Sequence, residues 1–156
     1  MSTRSYICKE NEDGTYTGIY CHWDGYLDHN GRMLLEHYNT IEKVNSLLKL
    51  GNISFLDCEL EPNPKLPHNF ENKQDGVTFA YGRDKGEAEQ EAHTVSLEDL
   101  NQDLFIEYIY VFMQDKKWKY FIGGELHKGI KSVKEDLDKL DSIPIPYLTN
   151  TSKLLF

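Results

Sequence analysis

The chain lacks most of the features by which a sequence announces its class. No apolar run approaches the roughly eighteen residues needed to cross a bilayer. Its opening, Met1-Ser2-Thr3-Arg4-Ser5-Tyr6, has no apolar core of a secretory signal. Neither membrane insertion nor export is expected. Cysteine is scarce: Cys8, Cys21 and Cys58 are an odd, widely spaced set, which fits a reduced cytoplasmic setting better than a disulfide framework. Basic residues are outnumbered 17 to 26, leaving a net charge of −9. Phosphate neutralisation dominates nucleic-acid affinity, so an acidic chain needs a basic cluster to bind nucleic acid directly. The densest basic group is only Lys116, Lys117 and Lys119, in a predicted hairpin turn, and no direct nucleic-acid contact is expected.

Cofactor and metal signatures are missing as well. There is no paired Cys/His spacing of a zinc site, and Glu36-His37 lacks the second histidine of a catalytic zinc helix. Gly123-Gly124 and the stretch Gly82 to Gly86 match neither a Walker loop nor a dinucleotide fingerprint. We therefore expect no cofactor and assign no metal ligands. The sequence also holds no internal repeat and no low-complexity tract.

What is present is ordinary for a globular protein: 156 residues, 39% hydrophobic, 28% charged and 12% aromatic. This aromatic content argues against disorder. The length suits one domain, residues 1–156, burying about two-thirds of the unfolded surface. Segment 142–156 (with Ile143, Ile145, Leu154, Leu155 and Phe156) reads as a docking or self-association tail, which allows a homodimer.

Periodicity predicts an α+β domain, with a mainly antiparallel sheet of about five strands and two to four helices. Residues 3–9 and 15–21 read as a hairpin around the turn Glu12-Asp13-Gly14. Residues 32–38 suggest a short helix. Thr40 caps a second, with Ile41, Val44, Leu47 and Leu48 at helical spacing and Gly51 as its stop. Residues 52–74, with three prolines, read as a long connection wrapped over the surface, and 77–81 as a short strand. Ser96 to Asp99 resembles a capping box. Runs 106–113 and 117–122 form a predicted hairpin. In the first, Ile106, Tyr108, Tyr110 and Phe112 share one face and Ile109, Val111 and Met113 the other, as in a central strand covered on both sides. Ile130, Val133, Leu137 and Leu140 predict an amphipathic helix.

Chemistry concentrates in residues 19–31, Ile-Tyr-Cys-His-Trp-Asp-Gly-Tyr-Leu-Asp-His-Asn-Gly, where a strand pattern stops. Cys21, His22, Asp24, Asp28, His29 and His37 carry ligand atoms, but at no metal-binding spacing. Strand alternation puts Tyr20 and His22 on one face and Cys21 and Trp23 on the other, so Cys21 and His22 do not form a thiolate–imidazole pair. Cys21 reads as a small core residue. Asp24, Asp28 and Glu36 could converge as a carboxylate pair, though nothing in the sequence prefers this over surface placement. Gly25 reads as a positive-φ turn position. Arg83 could hold an anion, pair with Asp24, or form a strand-end salt bridge. Trp23, Tyr26 and Trp118 could line a binding pocket or belong to the core.

From Asp84 to Asp103 seven carboxylates face a single Lys85, a local balance of −6. The stretch is either a solvated surface or an electrostatic lure for a basic partner.

The segments Thr3-Arg4-Ser5, Ile19 to Tyr26, Asn30-Gly31, Leu34 to Tyr38 and Tyr81 to Glu87 together resemble a family of small phage and prophage proteins. The resemblance covers about residues 3–55 and 77–120. It implies an accessory protein acting in the cytoplasm of a bacterial host and supplies no catalytic residues. With the acidic stretch, it leads to an expected counter-defence role: a non-enzymatic inhibitor of a host protein, one that could itself be a nucleic-acid-binding defence component. The expected surface comprises His22, Trp23, Asp24, Tyr26, Arg32, Arg83, Asp84, Glu87, Glu89 and Glu91. The alternative is a small-molecule or nucleotide-binding protein, or an enzyme, with a pocket around His22, Asp24 and Arg83.

Overall fold

The computed structural model describes residues 2–143. The predicted tail at 142–156 lies outside them, apart from its first two residues. Alternating apolar residues pair β1 (Ser5–Glu10) with β2 (Tyr16–Cys21) in an antiparallel hairpin, with Ile7 opposite Ile19. The later hairpin is β6 (Tyr108–Phe112) with β7 (Trp118–Ile122). The two hairpins join through a parallel pairing of β1 with β6, Ser5 beside Tyr108.

Short strands complete one mixed sheet. β3 (Ile53–Phe55) runs parallel to the end of β2 and carries β4 (Phe79–Ala80), while β5 (His93–Val95) pairs with the first half of β2. At the other end, β8 (Lys131–Ser132) pairs with β7. The described residues thus form a single α+β domain with an eight-stranded sheet and five α-helices, more of each than expected. The additional strands are two or three residues long and carry too little periodicity to be read from sequence.

The helices are α1 (Arg32–His37), α2 (Ile41–Lys49), α3 (Tyr81–Lys85), α4 (Leu97–Gln102) and α5 (Val133–Asp141). Thr40, Ser96 and Ser132 cap α2, α4 and α5 by accepting from the backbone N–H three residues on. Ile130 therefore lies before α5, not within it as its spacing suggested. Residues 77–81 are strand only at 79–80; the chain then turns into α3, where the capping geometry of Gly86 ends it.

The larger core lies on one face of the sheet. There Ile7, Ile19, Cys21, Tyr110, Phe112 and Trp118 meet Leu34, Val44, Leu47 and Leu137 from α1, α2 and α5. A smaller core on the other face contains Cys8, Ile109, Val111 and Phe121 under Leu100 of α4. The central β6 is covered on both sides, as its composition predicts. Ile106 is the exception: it precedes the strand and joins the smaller core, because strand alternation starts only at Tyr108. No helix of the described residues is long and apolar enough to cross a membrane.

Candidate functional site

The residue-rich segment after β2 is held by its backbone. His22 and Trp23 N–H groups donate to the carbonyls of Ile53 and Ser54, continuing the pairing with β3. Asp24, not Gly25, adopts the left-handed conformation, at φ 56°. Gly25 is required for a different reason: a Cβ there would stand 2.7 Å from Cβ of Ser5 and 2.8 Å from the Thr3 carbonyl oxygen. Residues Leu27–Gly31 then form a π-helical turn that runs into α1. Asn30 is fully buried and its amide donates to Ser5 Oγ at 3.1 Å and to the Cys21 sulfur at 3.4 Å.

This packing decides what the reactive groups can do. Cys21 is buried, and burial pushes its thiol up to about 11, so it is no thiolate nucleophile near neutrality. Burial raises Cys8 still further. Arg32 is committed to two carboxylates, donating through Nε to Asp28 and through both terminal nitrogens to Asp141 at 2.7 and 3.1 Å. That fork ties the end of α5 to the π-helical turn. Among the described residues no group of three or more His, Cys, Asp or Glu side chains is placed to hold a metal ion.

Arg83 is engaged even more completely. It donates bidentately to Asp84 at 2.8 and 3.0 Å, to the Leu60 carbonyl at 2.7 Å and to the Thr78 carbonyl at 3.0 Å. Asp84 is buried and also accepts from the Ala80 N–H at 2.8 Å. His68, whose side chain is nearly inaccessible, approaches the same carboxylate at 3.4 Å, while its Nδ1 accepts from the Gln74 N–H. This network pins the connection 56–78 onto the sheet. Arg83 therefore pairs with its neighbour and not with Asp24, and no contact among the described residues joins it to His22. Asp84 belongs to the clamp, away from the acidic surface. The sequence offered no periodic signal for His68 and Gln74, because the clamp is built on irregular backbone.

The remaining acidic candidates do reach solvent. Glu87, Glu89 and Glu91 are exposed, while Gln90 and Ala92 between and beside them turn inward. Gln90 fixes the segment: its carbonyl accepts from the Asn52 N–H at 2.7 Å and its side-chain oxygen from the Asn52 amide at 3.1 Å. The chain continues into β5 and α4, which present Glu98 and Asp99 to solvent.

Tyr20 and His22 share a face, as alternation predicts, and the Tyr20 hydroxyl lies 2.7 Å from His22 Nδ1. Trp23 is 43% exposed and meets the His22 ring edge-on at 4.8 Å. Tyr26 is partly buried and packs against His29. Trp118 is core, its indole N–H donating to the Tyr38 carbonyl. Arg4, which sequence reasoning did not single out, enters here: the hairpin register places it opposite His22, one step beyond Ser5 and Cys21. Counting outward equally from Asp13, the middle of the predicted turn, would have found that pair. Two surface clefts, of about 400 and 350 Å³, lie elsewhere and include none of the candidate residues. No protein-family model, curated protein or solved structure matches this chain.

Proposed function

We propose that this is a binding protein that occupies a basic surface on a host protein, in the manner of a phage-type counter-defence factor. The observation that carries the reading is the segment 87–92. It holds three carboxylates in solvent on backbone fastened by Gln90 to Asn52, so the charges are displayed without the entropy loss of ordering a loose loop. Glu98 and Asp99 extend the same sign along α4. Exposed Trp23 supplies an aromatic contact of the kind that dominates binding hot spots. A host component that normally holds nucleic acid would offer the complementary basic surface. The pocket reading has less support, since Arg83 is spent on Asp84, Leu60 and Thr78.

The test is capture from bacterial lysate at two salt concentrations, with crosslinking to map the contact. Glu87→Lys, Glu89→Lys and Glu91→Lys together should weaken capture by roughly tenfold or more, with salt acting in the same direction. His22→Ala should change it little. Capture indifferent to both charge reversal and salt would remove the reading.

A further inference from the structure

Arg4 is anomalous for an arginine in an acidic protein. Arg32 and Arg83 both make ion pairs, whereas among the described residues Arg4 makes none. Its Nε is buried and has no hydrogen-bond partner. A buried donor left unpaired carries a desolvation cost, which a small shift of the guanidinium toward an incoming acceptor would relieve. The guanidinium lies over the Phe105 ring, 5.6 Å from its centre, which restricts its position. Glu107 is its neighbour across the parallel pairing with the segment leading into β6, yet no ion pair forms between them.

Extending the hairpin register one step beyond Ser5 and Cys21 sets His22 opposite Arg4, and burial together with the Arg4 charge holds its imidazole below the ordinary titration range. The Arg4 charge sits close enough to the Tyr20 phenol to oppose the upward push of burial on it. The Arg4 charge makes the phenol a better donor and, with burial, disfavours a charged imidazole, so we assign the Tyr20 hydroxyl as donor to Nδ1 of a neutral His22. That arrangement leaves the proton of the neutral imidazole on Nε2. The strand rim thus presents two kinds of donor, guanidinium and imidazole N–H, with exposed Trp23 beside them.

We propose that Arg4 and His22 form a binding site for an oxyanion, either a phosphate or a carboxylate group. The guanidinium supplies charge and a planar donor fork, His22 Nε2–H a second donor, and Tyr20 holds the imidazole in the donating tautomer. Trp23 is placed to cover an apolar or planar portion of whatever carries the anion. The site is independent of the acidic segment 87–92, so either can fail alone.

The experiment follows the His22 ring resonances by NMR at constant ionic strength, with inorganic phosphate in one arm and acetate in the other. A saturable shift is expected, with the apparent His22 pKa rising as anion fills the site; the arm that saturates at lower concentration identifies the source. Arg4→Gln should weaken the response by roughly tenfold or more, and Tyr20→Phe should weaken it less. Reversal of Glu87, Glu89 and Glu91 should leave it unchanged. If Arg4→Gln does not fold, His22→Phe replaces it, read through emission from exposed Trp23, and must likewise lose the response. Unsaturating drift, equal in wild type and variants, overturns the site.

Discussion

The hydroxyl of Tyr110, in the middle of the sheet, donates to the carbonyl of Gly25 at 2.6 Å, across 85 residues of sequence. This bond ties the loop after β2 to the central strand, while Gly25 N–H and the Asn30 amide tie it to Thr3 and Ser5. Burial holds the Tyr110 phenol well above its usual titration range, which keeps it a donor through neutral pH. Tyr110→Phe keeps the ring and removes only the donor, leaving a buried carbonyl unpaired. The expected loss is about 1–3 kcal/mol. Urea denaturation should show a lower midpoint at an unchanged slope. A loss of less than about 0.5 kcal/mol, the scale of an ordinary surface substitution, would mean that the loop is held by other contacts.

The parts of this fold that were legible share one property: long, strongly patterned segments whose partners are close in sequence. The hairpins of β1 with β2 and β6 with β7, helix α2 with its Thr40 cap, and the inward Cys21 follow from alternation and capping alone. What escaped was set by distant contacts. β5 is a strand because β2 offers it an edge, and Arg83 is a clamp because Leu60 and Thr78 bring it carbonyls. Gly25 illustrates the difference. Sequence suggested a turn conformation, but the glycine is needed for close approach to Ser5, which no local pattern encodes.

Alkaline pH should unfold this protein before its tyrosines titrate normally. Burial is the leading cause that lifts the Cys21 thiol to about 11 and the Tyr6 and Tyr38 phenols to about 12. Each group holds its proton more tightly folded than unfolded. Their contribution is complete below the unfolded values, about 9 for the thiol and 10 for the phenols, and is lost as pH rises through the folded ones. Stability to urea is therefore expected to be level from neutral pH to about 9 and to fall steadily above it. Tyrosinate absorbance from the buried rings should appear together with the loss of far-UV circular dichroism. In the native state a thiol reagent should label Cys58, which is partly accessible, well before Cys8 and Cys21. Level stability through pH 11, or equal labelling of the three thiols, would contradict this picture.

Gly51 links the end of α2 to the acidic segment. It follows the helix at φ 77°, and a Cβ there would come within 2.1 Å of the Gln90 carbonyl oxygen, the same atom that accepts from Asn52. Gly51→Ala therefore meets two obstacles. The left-handed conformation costs a residue with a Cβ roughly 1–2 kcal/mol, and backbone offers no flexible end to move aside. The bond from Asn52 to Gln90 should open first, because it is the contact nearest the strain. Hydrogen exchange should then accelerate at Asn52 and through residues 87–92, with β1, β6 and β7 unaffected. If display on fixed backbone matters for partner capture, Gly51→Ala should weaken capture although every carboxylate is retained. Unchanged exchange at Asn52 would show that the segment is secured elsewhere, and unchanged capture despite faster exchange would show that its charge alone is sufficient.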